Sequence, residues 1–360
     1  MEWNMRITGP TQLPIEVMKA MDKQMISHRS KEFRKLFASV IQRMLPLFGT
    51  TTALLLPFTT SGTGGLEAAL VNTISPGDRV LSVQNGYFGE RFAEIASAVG
   101  AEVIPFSVPW GESVDPDELR QRVREIKQLA AVLFIHNETS TGVSNPLSDL
   151  VPVVREESDA LVLVDGVSSV GGMPVEMDMW GADVVVTVTQ KALMAPPGIA
   201  IVAAGPRAMK AAHCHKMPRY YFDFVRMARE VESGTTSFTP AMSAIFALDM
   251  ALDLIMVEGL PAVFDRHQRI ASICRKGLRE LGLHCFANKS FPSATVTAAL
   301  SPEGLSASTL SRRLQDEHGV TVSQGRGIWK DQMIRIGHMG HVQSNDILYF
   351  LNALKQVIHS

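Results

Sequence analysis

Four short runs of apolar, largely β-branched residues constrain the fold of this chain more than any other feature. They read RVLSVQN (79–85), AAVLFIHN (130–137), ALVLVDG (160–166) and DVVVTVT (183–189). Runs that are apolar on both faces and separated by helices are typical of a parallel sheet covered on both sides. Helical three- and four-residue steps recur in the segments between them, at 89–101, 115–126 and 147–158. The pattern therefore predicts an α/β fold built from successive βαβ units.

The character of the sequence changes after Gly259. Segments 264–282 and 306–319 have amphipathic helical patterns, and a strand pattern, TVTAALSPEG (295–304), lies between them. Helices and strands in this order suggest a smaller α+β domain. We therefore predict three parts: an N-terminal arm (1–15), a large domain (16–257) and a small C-terminal domain (258–360).

Composition excludes several classes of function. The 34 basic and 36 acidic residues leave a net charge of −2 without blocks of one sign, which argues against a nucleic-acid partner. The cysteines Cys214, Cys274 and Cys285 are odd in number and lack metal-binding spacing, so we expect neither disulfides nor a metal site.

MEWNMRITGP lacks the apolar core of a signal peptide, and no run is long enough to span a membrane. We expect a cytoplasmic protein.

Two charged residues follow successive apolar runs, at the edge of an open parallel sheet where ligands bind. Asp165 comes directly after ALVLV, and Lys191 stands between DVVVTVT and the rigid segment ALMAPPG. A buried carboxylate needs a cationic partner, although Asp-Gly is also a common turn pair. A lysine in an apolar pocket becomes a nucleophile, whereas a surface lysine extends into solvent. Adjacent strands would bring both residues to the same rim.

A predicted helix opens with small residues, SGTGG (61–65). Its backbone N–H groups and the positive end of its dipole suit a phosphate, although such a start is also an ordinary helix cap. A lysine, a carboxylate and a phosphate-binding helix start are together what pyridoxal 5′-phosphate requires. The lysine binds the aldehyde, the carboxylate keeps the pyridine nitrogen protonated and the helix start holds the phosphate. We therefore predict pyridoxal phosphate as the cofactor.

Three further sites have a functional and a structural interpretation. Phe88, in NGYFGER, is either a stacking surface for a planar ring or part of the core. The polar turn 137–140 is either a set of cofactor contacts or a simple turn. Arg335 lies in the strand pattern MIRIGHMG, where its planar fork suits a substrate carboxylate or an inter-domain salt bridge.

These motifs taken together resemble the class V aminotransferases of pyridoxal-phosphate fold type I, within them the alanine–glyoxylate and serine–pyruvate (serine–glyoxylate) group. The resemblance covers nearly the whole chain through motifs in the family's order: ITGPTQLP (7–14), SHRSKEFRKLF (27–37), SGTGGLEAALVN (61–72), NGYFGER (85–91), ETSTGV (138–143), VDGVSSVGGMPVEMD (164–178), TQKALMAPPG (189–198) and RIGHMG (335–340). It implies a mainly parallel sheet of the seven-stranded type in the large domain.

The resemblance also implies roles for individual residues. Lys191 would bind the cofactor covalently, Asp165 would pair with the pyridine nitrogen, and Arg335 would bind the substrate α-carboxylate, with Gly9 also at the substrate. The remaining cofactor contacts would be Ser61, Gly62, Thr63 and Gln190 at the phosphate and Phe88 and Thr139 at the ring. In this family the site lies at a homodimer interface, and Thr236 of the neighbouring subunit would reach the phosphate, with Thr235 and Thr239 as alternatives.

The resemblance implies transfer of an amino group from alanine or serine to glyoxylate or pyruvate by a ping-pong mechanism. Phe88 and Thr63 stand where animal alanine–glyoxylate enzymes have tryptophan and histidine, which weakens transfer of their substrate preference. 2-Aminoethylphosphonate–pyruvate, ureidoglycine–glyoxylate and pyridoxamine–pyruvate transamination are the alternatives, and a non-catalytic cofactor-binding subunit is a more distant one. A cysteine desulfurase is excluded because no cysteine falls between Ser290 and Gly340.

Overall fold

The computed structural model describes residues 4–214 and 217–359. The strands are β1 (Asn4–Arg6), β2 (Leu54–Phe58), β3 (Arg79–Gln84), β4 (Glu102–Ser107), β5 (Leu129–Ile135), β6 (Asn137–Glu138), β7 (Val143–Ser144), β8 (Leu161–Asp165), β9 (Val184–Val188), β10 (Ala200–Ala204), β11 (Val296–Leu300), β12 (Val320–Gln324) and β13 (Met333–Gly337).

The helices are α1 (Ile15–Ala20), α2 (Lys31–Phe48), α3 (Gly62–Thr73), α4 (Tyr87–Ala98), α5 (Pro116–Glu125), α6 (Leu147–Glu157), α7 (Met177–Trp180), α8 (Pro206–Cys214), α9 (Phe224–Glu232), α10 (Met242–Glu258), α11 (Leu260–Glu280), α12 (Ala307–His318) and α13 (Ser344–His359). A short 3-10 helix covers Gly327–Trp329. In the part of the chain described here, no helix is both long enough and apolar enough to cross a membrane.

A seven-stranded sheet with the order β2-β10-β9-β8-β5-β3-β4 forms the large part of the molecule. The four apolar runs of the sequence are its central strands β3, β5, β8 and β9, which pair in parallel. Strand β10 is antiparallel to both of its neighbours, β9 and β2. The predicted α/β class with a mainly parallel sheet is therefore confirmed. The sequence pattern did not predict the reversed strand β10.

Both faces of this sheet are buried, as the doubly apolar runs predict. In β8, Val162 and Val164 belong to one core cluster and Leu163 belongs to the cluster on the opposite face. The helices between the strands cover these two clusters. The sheet is thus a rigid plate whose carboxyl-terminal edge can hold side chains at set positions.

A second sheet, with the order β1-β12-β13-β11, has its own apolar core with α11, α12 and α13. Residues 4–6, in the predicted N-terminal arm, form β1 and pair in parallel with β12. Backbone hydrogen bonds join the two sheets' regions, from the N–H of Ser144 to the carbonyl of Phe291 (2.9 Å) and from Ser293 to Gly142 (2.8 Å). The proposed division at residues 15 and 257 stays a prediction.

Candidate active site

A cavity of about 200 Å³ lies at the carboxyl ends of β8 and β9. Asp165 is the last residue of β8 and pairs in register with Val186 of the adjacent strand β9. Lys191 follows the end of β9, and both residues line the cavity together with Phe88 and Thr139. The structure therefore brings the predicted acid and lysine to one rim, as expected for adjacent parallel strands.

Asp165 is buried, and one of its carboxylate oxygens accepts the N–H of Val167 at 2.8 Å. This is the turn-type bond that the structural interpretation predicts, so the residue caps a turn and faces the cavity at once. Burial raises the pKa of Asp165 to about 6, although the Val167 N–H and the positive charge of Lys191 oppose the rise. The carboxylate would gain from a cationic or N–H partner in the cavity.

The amine of Lys191 donates a hydrogen bond to the carbonyl oxygen of Thr8. Burial, together with the positive charge of Arg335, lowers the pKa of Lys191 to about 8, although Asp165 opposes the change. The amine is therefore more often in its neutral, nucleophilic form than an exposed lysine would be. It does not extend into solvent.

Gly9 approaches Lys191 closely. A Cβ atom built on Gly9 would lie 2.5 Å from the Lys191 amine nitrogen, and the residue has a φ of +119°, which disfavours any side chain. The N-terminal segment can thus pass over the lysine only because residue 9 is glycine. Gly9 borders the lysine, where the predicted substrate contact would be.

The predicted phosphate-binding residues also meet at the cavity. Ser61 is the N-cap of α3 and its hydroxyl accepts the N–H of Gly64 at 3.3 Å, so the ordinary cap interpretation is correct as well. Ser61, Gly62, Thr63 and Gln190 line the cavity. The side-chain oxygen of Gln190 is buried and has no hydrogen-bond partner within the described residues. The helix N-terminus is suited to an anionic ligand, whereas the unpaired amide oxygen of Gln190 requires a hydrogen-bond donor.

Phe88 stands near the start of α4 with its ring toward the cavity. Its N–H and that of Gly89 both donate to one carboxylate oxygen of Glu138, at 3.1 Å each. The other oxygen of Glu138 accepts the N–H and hydroxyl of Ser140, at 2.9 and 2.5 Å. Burial raises the pKa of Glu138 to about 7 despite these bonds. Glu138 therefore anchors the backbone that carries the Phe88 ring.

Sequence reasoning placed Glu138 in a polar turn and assigned it no role. It also assigned none to Arg91, which lines the cavity and whose guanidinium lies 5.1 Å from the centre of the Phe88 ring. One signal was available for Arg91, because residues three apart on a helix share a face. No local signal pointed to the bonds of Glu138, since its partners Phe88 and Gly89 lie about 50 residues earlier in the chain.

The polar turn after β5 forms a buried network beside the cavity. The hydroxyl of Thr139 donates to Ser168 at 2.8 Å, and the amide of Asn137 donates to Ser168 at 2.7 Å and to Thr295 at 3.0 Å. The side-chain oxygen of Asn137 is buried and has no hydrogen-bond partner among the described residues. The turn is thus more than a surface connection, and it links the large sheet to the region of the small one.

Arg335 lies in the middle of β13 and is buried. Its Nε donates to the carbonyl of Gln324 at 2.8 Å, and one terminal nitrogen donates to the carbonyl of Thr139 at 3.2 Å. Burial lowers its pKa to about 10. The bond to Thr139 joins the small sheet to the region of the large one, and among the described residues Arg335 forms no salt bridge, which was the alternative interpretation. The second terminal nitrogen remains for a carboxylate.

Thr236 does not lie at this cavity. Its hydroxyl donates to the carbonyl of Phe238 at 2.7 Å, and that of Thr235 donates to the carbonyl of His28 at 2.7 Å. The predicted contact of Thr236, Thr235 or Thr239 is to a neighbouring subunit, so these positions within one chain do not test it. It stays a prediction.

Comparison with known proteins provides evidence that is independent of the site geometry. The family model described as "Aminotransferase class-V" matches residues 5–350. An L-aspartate–glyoxylate aminotransferase of Paracoccus denitrificans is 38% identical over 93% of this chain and 85% of that protein. A protein named "Soluble hydrogenase, small subunit" of Synechococcus sp. is 36% identical over 98% of this chain and 92% of that protein. The crystal structure of alanine–glyoxylate aminotransferase from Nostoc sp. superposes with a TM-score of 0.95 at 30% identity, covering 99% and 96% of the two chains.

Proposed function

The chain belongs to the class-V aminotransferase family and is a transaminase, and from that premise we propose a pyridoxal-phosphate enzyme that moves an amino group from alanine or serine to glyoxylate or pyruvate. The observation that carries the proposal is the pairing of Asp165 and Lys191 on adjacent strand ends around one cavity. This pairing supplies the acid and the amine that such chemistry needs.

The residues present fit the cofactor. The cavity presents a lysine amine with a lowered pKa, a buried carboxylate, and a helix N-terminus at Ser61. The amide of Gln190 is buried with its oxygen unpaired in the described ranges, and turning the amide over would present N–H donors to a phosphate. Ser61, Gly62, Thr63 and Gln190 would hold the phosphate, and Phe88 and Thr139 would contact the ring.

When bound, pyridoxal phosphate supplies an electron sink for the negative charge that forms at the substrate Cα. Lys191 would provide the amine that holds the aldehyde and would also serve as the base for the proton on Cα. Its lowered pKa serves both tasks because each needs the neutral amine. Asp165 would keep the pyridine nitrogen protonated, because its negative charge would lie opposite that cation.

Arg335 would bind the substrate α-carboxylate with its remaining terminal nitrogen. Its two other bonds, to Gln324 and Thr139, hold the guanidinium plane in place before substrate arrives. A guanidinium that is already oriented loses little freedom on binding. The Phe88 ring, anchored through Glu138, would stack on the cofactor and limit its tilt.

Relatives with similar identity differ in their named donor, since the Paracoccus protein is named for aspartate and the Nostoc structure for alanine. The donor of this chain is therefore part of the proposal. 2-Aminoethylphosphonate–pyruvate or ureidoglycine–glyoxylate transamination is the alternative within the same chemistry. We also propose a cytoplasmic homodimer, in which Thr236 of one subunit reaches the phosphate of the other.

A spectral screen of the half-reaction tests these proposals. The purified holoenzyme should show an absorbance band of the lysine-bound cofactor, and Lys191→Ala should lose it. Alanine or serine should convert that band to the pyridoxamine form. Conversion by 2-aminoethylphosphonate alone would overturn the assignment. A stable band that no amino acid alters would favour a non-catalytic subunit, and the name of the Synechococcus relative is an indication of that alternative.

A further inference from the structure

The loop that follows β12 carries an arginine with no role in the proposed function. Arg326 lies two residues beyond Gln324, whose carbonyl accepts the hydrogen bond from Arg335. It is exposed, and its guanidinium lies 5.7 Å from the centre of the Tyr87 ring. The side chain thus reaches from the small sheet toward the start of α4, at the edge of the large one.

The backbone of this loop is held at several points. The N–H of Gly325 donates to the carbonyl of Met333 at 2.7 Å, and the N–H of Trp329 donates to the carbonyl of Arg326 at 3.0 Å. A Cβ atom on Gly325 would lie 2.1 Å from the carbonyl oxygen of Trp329, so only glycine allows the loop to close this tightly. These contacts therefore fix the position of the Arg326 backbone.

A chain of two aromatic rings, Tyr87 and Phe88, connects Arg326 to the active-site cavity. Tyr87 packs edge-on against Phe88, with ring centres 5.6 Å apart, and Phe88 lines the cavity. The positive charge of Arg326 contributes to the lowered pKa of both Lys191 and Arg335, after the larger effect of burial. The three cations therefore lie close enough to influence one another electrostatically.

Nothing in the described ranges neutralises Arg326, because none of the ion pairs there includes it. A substrate with a single carboxylate would neutralise Arg335 and leave Arg326 without an anion. An arginine close to other cations repels them, and a second carboxylate on the substrate would offset that repulsion through charge-assisted hydrogen bonds. The competing explanation is that Arg326 only stacks on Tyr87.

Building on the proposed transaminase function, we propose that Arg326 binds an acidic group on the substrate side chain while Arg335 binds the α-carboxylate. The substrate class then extends beyond alanine and serine to dicarboxylic amino acids such as aspartate and glutamate, and to their 2-oxo acids. Arg326 is a specificity residue in this assignment and takes no part in proton transfer.

Aspartate and asparagine form a matched pair for the test, because they have nearly the same shape and differ in charge. In the holoenzyme with glyoxylate as acceptor, kcat/KM is measured for both donors and for alanine in wild type, Arg326→Gln, Arg326→Lys and Arg312→Gln. We expect Arg326→Gln to lower the aspartate-to-asparagine ratio of kcat/KM by about 10- to 100-fold. Arg326→Lys should restore part of the ratio, and Arg312→Gln, an exposed arginine on α12, should leave it as in wild type.

A binding measurement separates recognition from turnover. Succinate should bind the wild-type holoenzyme more tightly than butyrate in calorimetric titration, and Arg326→Gln should remove most of that difference. An unchanged aspartate-to-asparagine ratio in Arg326→Gln, or a wild type that uses alanine but not aspartate or glutamate, would overturn this inference and leave the proposed function standing. A wild type that transaminates no donor would overturn the proposed function and this inference with it.

Discussion

The two sides of the site are built in different ways. On the large sheet, Asp165 ends β8 and Lys191 follows the adjacent strand β9, so the pairing of the strands constrains their separation. On the small sheet, Arg335 lies in mid-strand, and its guanidinium is oriented by the carbonyls of Gln324 and Thr139. One side depends on the register of a single sheet, and the other depends on contacts between two sheets.

This difference predicts different consequences of substitution. In the proposed function, residues at the strand ends would supply the amine and the charge of the reaction, and the sheet beneath them is buried on both faces. Removing them should abolish chemistry and leave the fold intact. Arg335 would orient the substrate, so substitutions on the small-sheet side of the site should weaken substrate binding more than the chemical step.

The largest effect is expected from Lys191→Ala. Loss of the general base alone should lower the transamination rate about 10²- to 10⁴-fold, and loss of the covalent bond to the cofactor adds to this. Stopped-flow absorbance of the half-reaction measures the rate, and circular dichroism should show an unchanged fold. Lys210→Ala, on the exposed face of α8, serves as the control. Turnover close to wild type in Lys191→Ala would contradict the role of the lysine.

Asp165→Asn should come next, with a rate loss of about 10²- to 10³-fold. Asparagine can still accept the N–H of Val167 through its side-chain oxygen, so the turn after β8 should persist. What is lost is the negative charge opposite the pyridine nitrogen. Single-turnover kinetics together with the melting temperature distinguish these effects. A melting temperature that fell while the single-turnover rate held would reduce Asp165 to a turn residue.

Arg335→Gln tests the other side of the comparison. We expect kcat/KM to fall about 10- to 100-fold, mainly through KM, because glutamine cannot replace the charged contact to the α-carboxylate. Arg335→Lys should recover little, since an ammonium cannot donate to both carbonyls and a carboxylate in one plane. Arg269→Gln, exposed on α11, is the control for steady-state kinetics. A loss confined to kcat would place the arginine with the chemical residues instead.

The smallest effect concerns Glu138 and stability. Its pKa in the folded protein is raised from 4.5 to about 7, so its contribution to stability is full below about pH 4.5 and is lost as pH rises through 7. The unfolding free energy of cofactor-free wild type should therefore fall relative to Glu138→Gln between pH 5 and 8, by at most about 3 kcal/mol. Urea denaturation at several pH values measures it, with Glu94→Gln on the exposed face of α4 as the control. A difference independent of pH would show that Glu138 does not titrate in this range.

Much of the part of the site that lies on the large sheet could be predicted from the sequence. The runs that became β8 and β9 are apolar throughout, so both strands and the residues at their ends could be recognised from local pattern alone. Strand β10 was harder to recognise, because AIVAA is short and follows a turn that continues the same apolar stretch. Its reversed direction is also invisible locally, since an apolar run has the same pattern in either direction.

The contacts of the two arginines on the small-sheet side of the site could be predicted only in part. A charged residue inside the strand pattern of β13 marked Arg335 as unusual, yet the sequence left a carboxylate contact and a salt bridge equally open. The structure shows bonds to two backbone carbonyls, one of them 196 residues away. Arg326 carried no signal at all, because a polar loop residue is ordinarily solvated and its neighbour Tyr87 lies far away in sequence.

The sequence by itself determined the α/β class, the parallel central strands and the meeting of Asp165 with Lys191, because burial imposes a local periodicity and parallel strands share one carboxyl-terminal edge. Only the tertiary structure decided that Glu138 anchors Phe88, that Arg335 bonds to Thr139 beside the cavity and that Arg326 reaches the Tyr87 ring. These contacts join residues far apart in the chain, and their geometry follows from how the two sheets pack, which no short window of sequence contains.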